Sequence, residues 1–191
     1  MMEALDREEI ARLTEEYGGA WGVNHTQRLL KLMERLSGDT PYDEEVVWLA
    51  AHLHDWGAYK PWAKPEIDHV QRSVEVAGPF LAERGCDEIG RAHILECIAH
   101  HASAGTDTRI SREAMLLHDA DVLDFLGAVG ILRDFSKNAR NLRGGYDAAL
   151  KRRARLPQTL FLPESVELAR QRLHDMDAFL AAFEADSFGH F

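Results

Sequence analysis

Strand signals are missing from this sequence of 191 residues. No stretch alternates apolar and polar residues with β-branched or aromatic enrichment, which excludes a half-buried sheet. Cysteine is scarce: Cys86 and Cys97 are too few for a disulfide framework and form no CxxC pair. They read as small apolar residues of a reducing compartment. No apolar run approaches the roughly 18 residues of a membrane span. The opening MMEALDREEIARL is acidic where a signal peptide would be basic and then apolar. A cytoplasmic protein without a membrane partner is expected. Positive charge is short too, with Asp and Glu exceeding Lys and Arg by ten. That argues against general nucleic-acid binding, and an anionic substrate would need local help.

What the chain has is helical periodicity, with 46% hydrophobic and 28% charged residues and enough length to bury a core. An all-α, single-domain fold over 1–191 is expected. Asp6 and Glu9 form a capping box for a first helix that stops at Gly18-Gly19. A second begins near Asn24 and carries His25, Leu29, Leu32, Met33 and Leu36 on one face. A third holds Val46 to His54 and ends before Gly57. Further helices are expected over 67–84, disturbed at Gly78-Pro79, over 87–101, and over 111–135 from a Ser111 cap. In the last of these, Asp121, Phe125, Ala128 and Leu132 fall on one stripe. A C-terminal helix opens after Pro163.

Ten histidines are scattered through the chain, and a lone histidine is usually a surface or hydrogen-bonded residue. Position separates four polar groups from the rest. His25 starts an apolar face, His54 and Asp55 end another, and Asp121 sits among apolar neighbours in mid-helix. Buried polar groups need partners, and a core carboxylate needs a cation, a proton or a metal. Two imidazoles and two carboxylates suit Mn, Fe, Mg, Co or Zn rather than a thiolate-loving metal. Residues one apart on a helix splay by about 100°. At a helix end, however, His54 and Asp55 can both reach an ion beyond the tip.

The ordered set H, HD, D resembles the HD-domain metal-dependent phosphohydrolases, in particular the small stand-alone bacterial members. HTQR matches the H-x-x-R opening at His25 and Arg28, and HLHDWG supplies His54 and Asp55. LLHDADVLDFLGAVGILRDF matches D-A-D-x-L-D-x-x-G-A-x-G-x-x-R-x-F, which puts Asp121 at the last ligand position, with Asp119 the alternative two residues earlier. CIAHHAS resembles I-x-x-H and picks out His101, while His69 with Ser73 resembles H-x-x-x-S. The resemblance covers roughly residues 20–135. It implies an HD core with the basic segment and C-terminal helix of 136–191 packed on it, and one divalent ion held by His25, His54, Asp55 and Asp121. It departs after the doublet, where Gly57, Ala58 and Tyr59 stand in place of the acid that nucleotidase relatives carry.

A divalent ion with open positions acidifies bound water and polarises a phosphoryl oxygen. Hydrolysis of a small phosphorylated substrate is therefore expected, and the resemblance makes a nucleotide the first candidate. Asp55 is the candidate to orient the water, and His101 and His69 to move protons or hold phosphate. Arg28, Lys60, Lys64 and Arg133 are candidate substrate contacts, each weighed against a solvated charge. Between Lys137 and Arg155 seven basic residues accompany one acid, with Gly144-Gly145 as a hinge candidate. Trp48, Trp56, Tyr59 and Trp62 surround the doublet as packing residues or a stacking wall for a base. Two other readings stay open: a dinuclear-iron HD-fold oxygenase using His69 and His101 as extra ligands, and a noncatalytic metal-bound sensor. Nothing in the composition excludes a homo-oligomer.

Overall fold

Acidic side chains set where four of the eight α-helices among the described residues begin. In the structure, a computed structural model describing residues 5–103 and 108–191, the Asp6 carboxylate accepts from Glu8 and Glu9 N–H at 3.0 and 3.1 Å. Asp43, Asp68 and Asp87 cap three more helices in the same way. Ser111 and Asn141 cap two others. Each such cap stabilises its helix by about 1 kcal/mol. Part of the chain's acidic excess is thus spent on helix starts. The Glu9 carboxylate does not close the expected box, because it pairs with Arg84 at 2.7 and 2.8 Å.

The elements are α1 (Arg7–Ser37), α2 (Glu44–Leu53), a 3-10 turn (Trp56–Ala58), α3 (His69–Glu83), α4 (Glu88–His100), α5 (Arg112–Asp124), α6 (Gly127–Lys137), α7 (Leu142–Arg155), a second 3-10 turn (Leu156–Thr159) and α8 (Pro163–Asp186). The described residues contain no strand. Helices α1, α2, α4 and α5 pack on one another, α3 covers α4 and the first 3-10 turn, and α8 lies against α5 and α6. Leu29, Met33, Leu49, Leu53, Ile98 and Leu117 are fully buried between them. Each such side chain contributes on the order of 1.5–3 kcal/mol.

Four boundaries differ from the periodicity. Gly19 (φ 61°) kinks α1 where a stop was expected, but helix resumes at once and runs through Asn24 to Ser37. Only glycine takes that left-handed backbone at no steric cost. Pro79 lies inside α3 without ending it. The expected helix over 111–135 is two helices, because Leu126 is extended and Gly127 has φ 76°. Ala128 and Leu132 therefore leave the Asp121 stripe, and Leu132 is 60% exposed. Finally, the basic segment runs from the end of α6 into the helix α7, and Gly144-Gly145 belong to the first turn of α7 rather than to a hinge.

Gly57 serves a second purpose after the doublet. A Cβ there would collide with the His69 carbonyl oxygen and the Ser73 backbone nitrogen. The Gly57 N–H donates to Ser73 Oγ at 2.8 Å. The H-x-x-x-S spacing thus docks the start of α3 against the turn carrying His54 and Asp55. Any side chain at Gly57 would cost roughly 1–3 kcal/mol of overpacking.

Candidate metal centre

Helix α2 ends at Leu53, so His54 stands at the cap and Asp55 just beyond it. His25 comes from α1 and Asp121 from α5. His25 Nε2 lies 3.2 Å from Asp121 Oδ1 and 4.0 Å from Asp55 Oδ2, and His54 Nε2 lies 3.5 Å from Asp55 Oδ2. His25, His54 and Asp121 offer ligand atoms within 4.8 Å of one another, and so do His54, Asp55 and His101.

The other ring nitrogens decide the tautomers. His54 Nδ1 is 2.8 Å from the Ala51 carbonyl and His101 Nδ1 is 2.7 Å from that of Ile98. A carbonyl only accepts, so both Nδ1 atoms donate and both Nε2 lone pairs are left free. His25 Nδ1 donates to Asp124 Oδ2 at 2.8 Å. His25 Nε2, His54 Nε2 and Asp121 Oδ1 are buried without a hydrogen-bond partner. Three orphaned donor atoms converging at one point form a site that a divalent cation fits, since isolated orphans of this kind are costly. Paired imidazole N–H groups behind the ligand atoms are the usual support for such a site.

Asp124 lies behind the cluster and carries no role in the sequence reading. Its carboxylate accepts from His25, from Arg28 at 2.6 and 2.8 Å, and from Arg133 at 2.8 Å. The structure thus places Arg28 and Arg133 on Asp124, and Arg133 also stacks on Trp21 and Phe125. The signal for Asp124 was the third acid of DADVLD, read together with the arginines of H-x-x-R and G-x-x-R. Asp119 points elsewhere: it accepts from His118 Nδ1 and from the Phe161 and Leu162 N–H groups, which holds the chain leading into α8. Lys60 and Lys64 are exposed on the loop after the doublet. Trp56 is buried against Trp62 and Phe80, and Trp48 stacks on His52, so these aromatics pack the fold.

A cavity of about 570 Å³ opens beside the cluster, lined by Asp55, His69, His101 and Asp121 among others. Neither lysine of the doublet loop contributes to that lining. The His69 ring lies 5.5 Å from that of His101, and its side chain is 42% exposed. Burial, reinforced by His54, pushes the His101 pKa down to about 4. His101 is therefore a neutral acceptor at pH 7. Burial alone would lower the His25 pKa, but the Asp121 and Asp124 carboxylates outweigh it and raise it to about 9.

The last shift gives a pH prediction for protein stripped of metal. A proton on His25 then takes the cation's place, and a raised pKa stabilises the fold fully below the unfolded value of about 6.5. That contribution is lost as pH rises through about 9. Thermal melts in chelator should show the melting temperature falling from pH 6.5 to 9.5, with the slope reduced in His25→Gln.

The HD domain family matches residues 22–126. No curated protein matches. Among solved structures the chain is similar to a predicted HD superfamily hydrolase from an uncultured Thermotogales bacterium, with 24% identity, TM-score 0.68 and coverage of 94% and 92% of the two chains. It is similar to YpgQ of Bacillus subtilis, crystallised in complex with ADP, with 21% identity, TM-score 0.71 and coverage of 94% and 93%. An HD-superfamily hydrolase of Bacillus thuringiensis gives 22% identity, TM-score 0.68 and coverage of 94% and 95%. These likenesses establish the shared fold. No helix among the described residues is long and apolar enough to cross a membrane. With His25, His54, Asp55 and Asp121 all inside a match spanning more than half its length, the chain belongs to the HD domain family.

Proposed function

We propose that this protein is a divalent-metal-dependent phosphohydrolase of a small phosphorylated substrate, a nucleotide first of all. The observation carrying this reading is the convergence of the orphaned His25 Nε2, His54 Nε2 and Asp121 Oδ1 at the edge of an open cavity. His25, His54, Asp55 and Asp121 would hold the ion. Bound there, the ion would supply Lewis-acid charge to a phosphoryl oxygen and lower the pKa of water.

The chain's own groups do the rest. The Asp55 side chain is 14% exposed and faces the cavity, and although burial opposes it, His54, His101 and His25 hold its carboxylate well below the usual range, so it orients the attacking water by accepting a hydrogen bond. Neutral His101 offers Nε2 as a further acceptor. His69, at the cavity wall and half exposed, hands a proton to the departing oxygen. Asp124, fixed by Arg28 and Arg133, keeps His25 in register. The ADP held by YpgQ supports a nucleotide here.

The grouping of His54, Asp55 and His101 favours one other reading, a second ion and HD-fold oxygenase chemistry. One experiment separates the two. Purified protein with Mn, Mg, Co or Fe is assayed against nucleotides and phosphomonoesters, with phosphate and pyrophosphate detected separately. Hydrolysis abolished by EDTA with helical signal intact is expected. Two irons per chain with oxygen uptake and no phosphate release would overturn the proposal.

A further inference from the structure

Charge is unbalanced across the cavity. Asp55 and Asp121 line it, and a divalent ion would offset only those two. A phosphorylated substrate brings several more negative charges into a chain whose net charge is −10. Arg152 and Arg155 are the only lysine or arginine side chains in the described lining. Both come from the end of α7, in the basic run that the metal cluster does not use.

The two arginines are held differently. Arg152 Nε donates to the buried Asp134 carboxylate at 2.8 Å, and its guanidinium lies 4.3 Å over the Phe125 ring. Arg155 is exposed to the cavity and makes no side-chain ion pair or hydrogen bond among the described residues. Its backbone is nevertheless fixed. Leu156 is buried, Thr159 Oγ1 donates to the Leu156 carbonyl at 2.9 Å, and Gln158 Nε2 donates to Ala154 at 2.8 Å. An arginine whose backbone is fixed at the cavity wall, with a second, immobilised guanidinium in the same lining, has its fork free for a bidentate anion contact. An ordinary exposed arginine lacks this setting: Arg170, for comparison, sits on α8 paired to Glu167.

We propose that Arg155 is the contact for the substrate's distal phosphate charge, with Arg152, positioned by Asp134, sustaining the positive potential around it. This deepens the phosphohydrolase reading and rests on it for the identity of the substrate. The contact itself is tested by binding. Manganese-loaded wild-type protein and Arg155→Gln are titrated calorimetrically with inorganic triphosphate. Loss of a charge-assisted bidentate contact should weaken binding about 10- to 100-fold. Arg155→Lys should recover part of the loss, and Arg170→Gln, which removes the same charge elsewhere, should bind as wild type does. Equal affinity in wild type and Arg155→Gln, or no binding by either, would overturn the proposal. Phosphate release is read in parallel. Weakened binding of triphosphate together with no turnover of any phosphorylated compound would sink the hydrolase reading and leave the Arg155 contact standing.

Discussion

Asp121→Ala should lose its divalent ion and its hydrolytic turnover together, the latter by about a thousandfold or more, corresponding to roughly 4 kcal/mol of transition-state stabilisation. The loss follows from geometry, since Asp121 Oδ1 is one of three buried atoms left without a partner around a single point. His54→Ala should behave alike. Neither side chain belongs to the apolar core that packs the helices together, so both variants should retain helical signal. Asp119→Ala provides the contrast, because that acid holds His118 and the N–H groups of Phe161 and Leu162. It should lower stability and leave metal stoichiometry unchanged. Metal analysis alongside phosphate release checks all three.

Asp124→Ala should be the most destabilising single change near the site, by about 3–5 kcal/mol, the usual cost of removing one partner of a buried ion pair. Its carboxylate is shared by His25, Arg28 and Arg133, and Arg133 is only 7% exposed. Without Asp124 the Arg133 guanidinium loses the carboxylate it is bonded to and His25 loses the acceptor that fixes its ring. The milder Asp124→Asn keeps the shape and should chiefly reduce metal affinity, by roughly 10- to 100-fold. Urea unfolding and metal titration separate the two effects.

These residues also show what could be read directly. Helix starts were legible because Asp6 and Ser111 are local signals whose N–H donors lie within three residues. The doublet was legible as a helix end because Gly57 follows it, although the backbone contact forbidding a side chain there belongs to α3. The break after α5 was hidden. Phe125, Ala128 and Leu132 keep helical spacing, and a glycine with positive φ looks like any other glycine in a sequence. Helix α7 was hidden as well, because it is mostly basic and depends on tertiary burial of Tyr146 and Ala149. Asp124 escaped notice for a related reason: its partner Arg28 is 96 residues away, and only folding brings it to that acid. Arg28 and Arg133 read as substrate contacts from motif position alone, whereas the fold commits them to Asp124.

The central claim, one divalent ion among His25, His54, Asp55 and Asp121, is tested most directly by an anomalous difference map from a manganese-soaked crystal. One strong peak within coordination distance of His25 Nε2, His54 Nε2 and Asp121 Oδ1 is expected. No peak among these atoms, with manganese bound elsewhere on the chain, would contradict it.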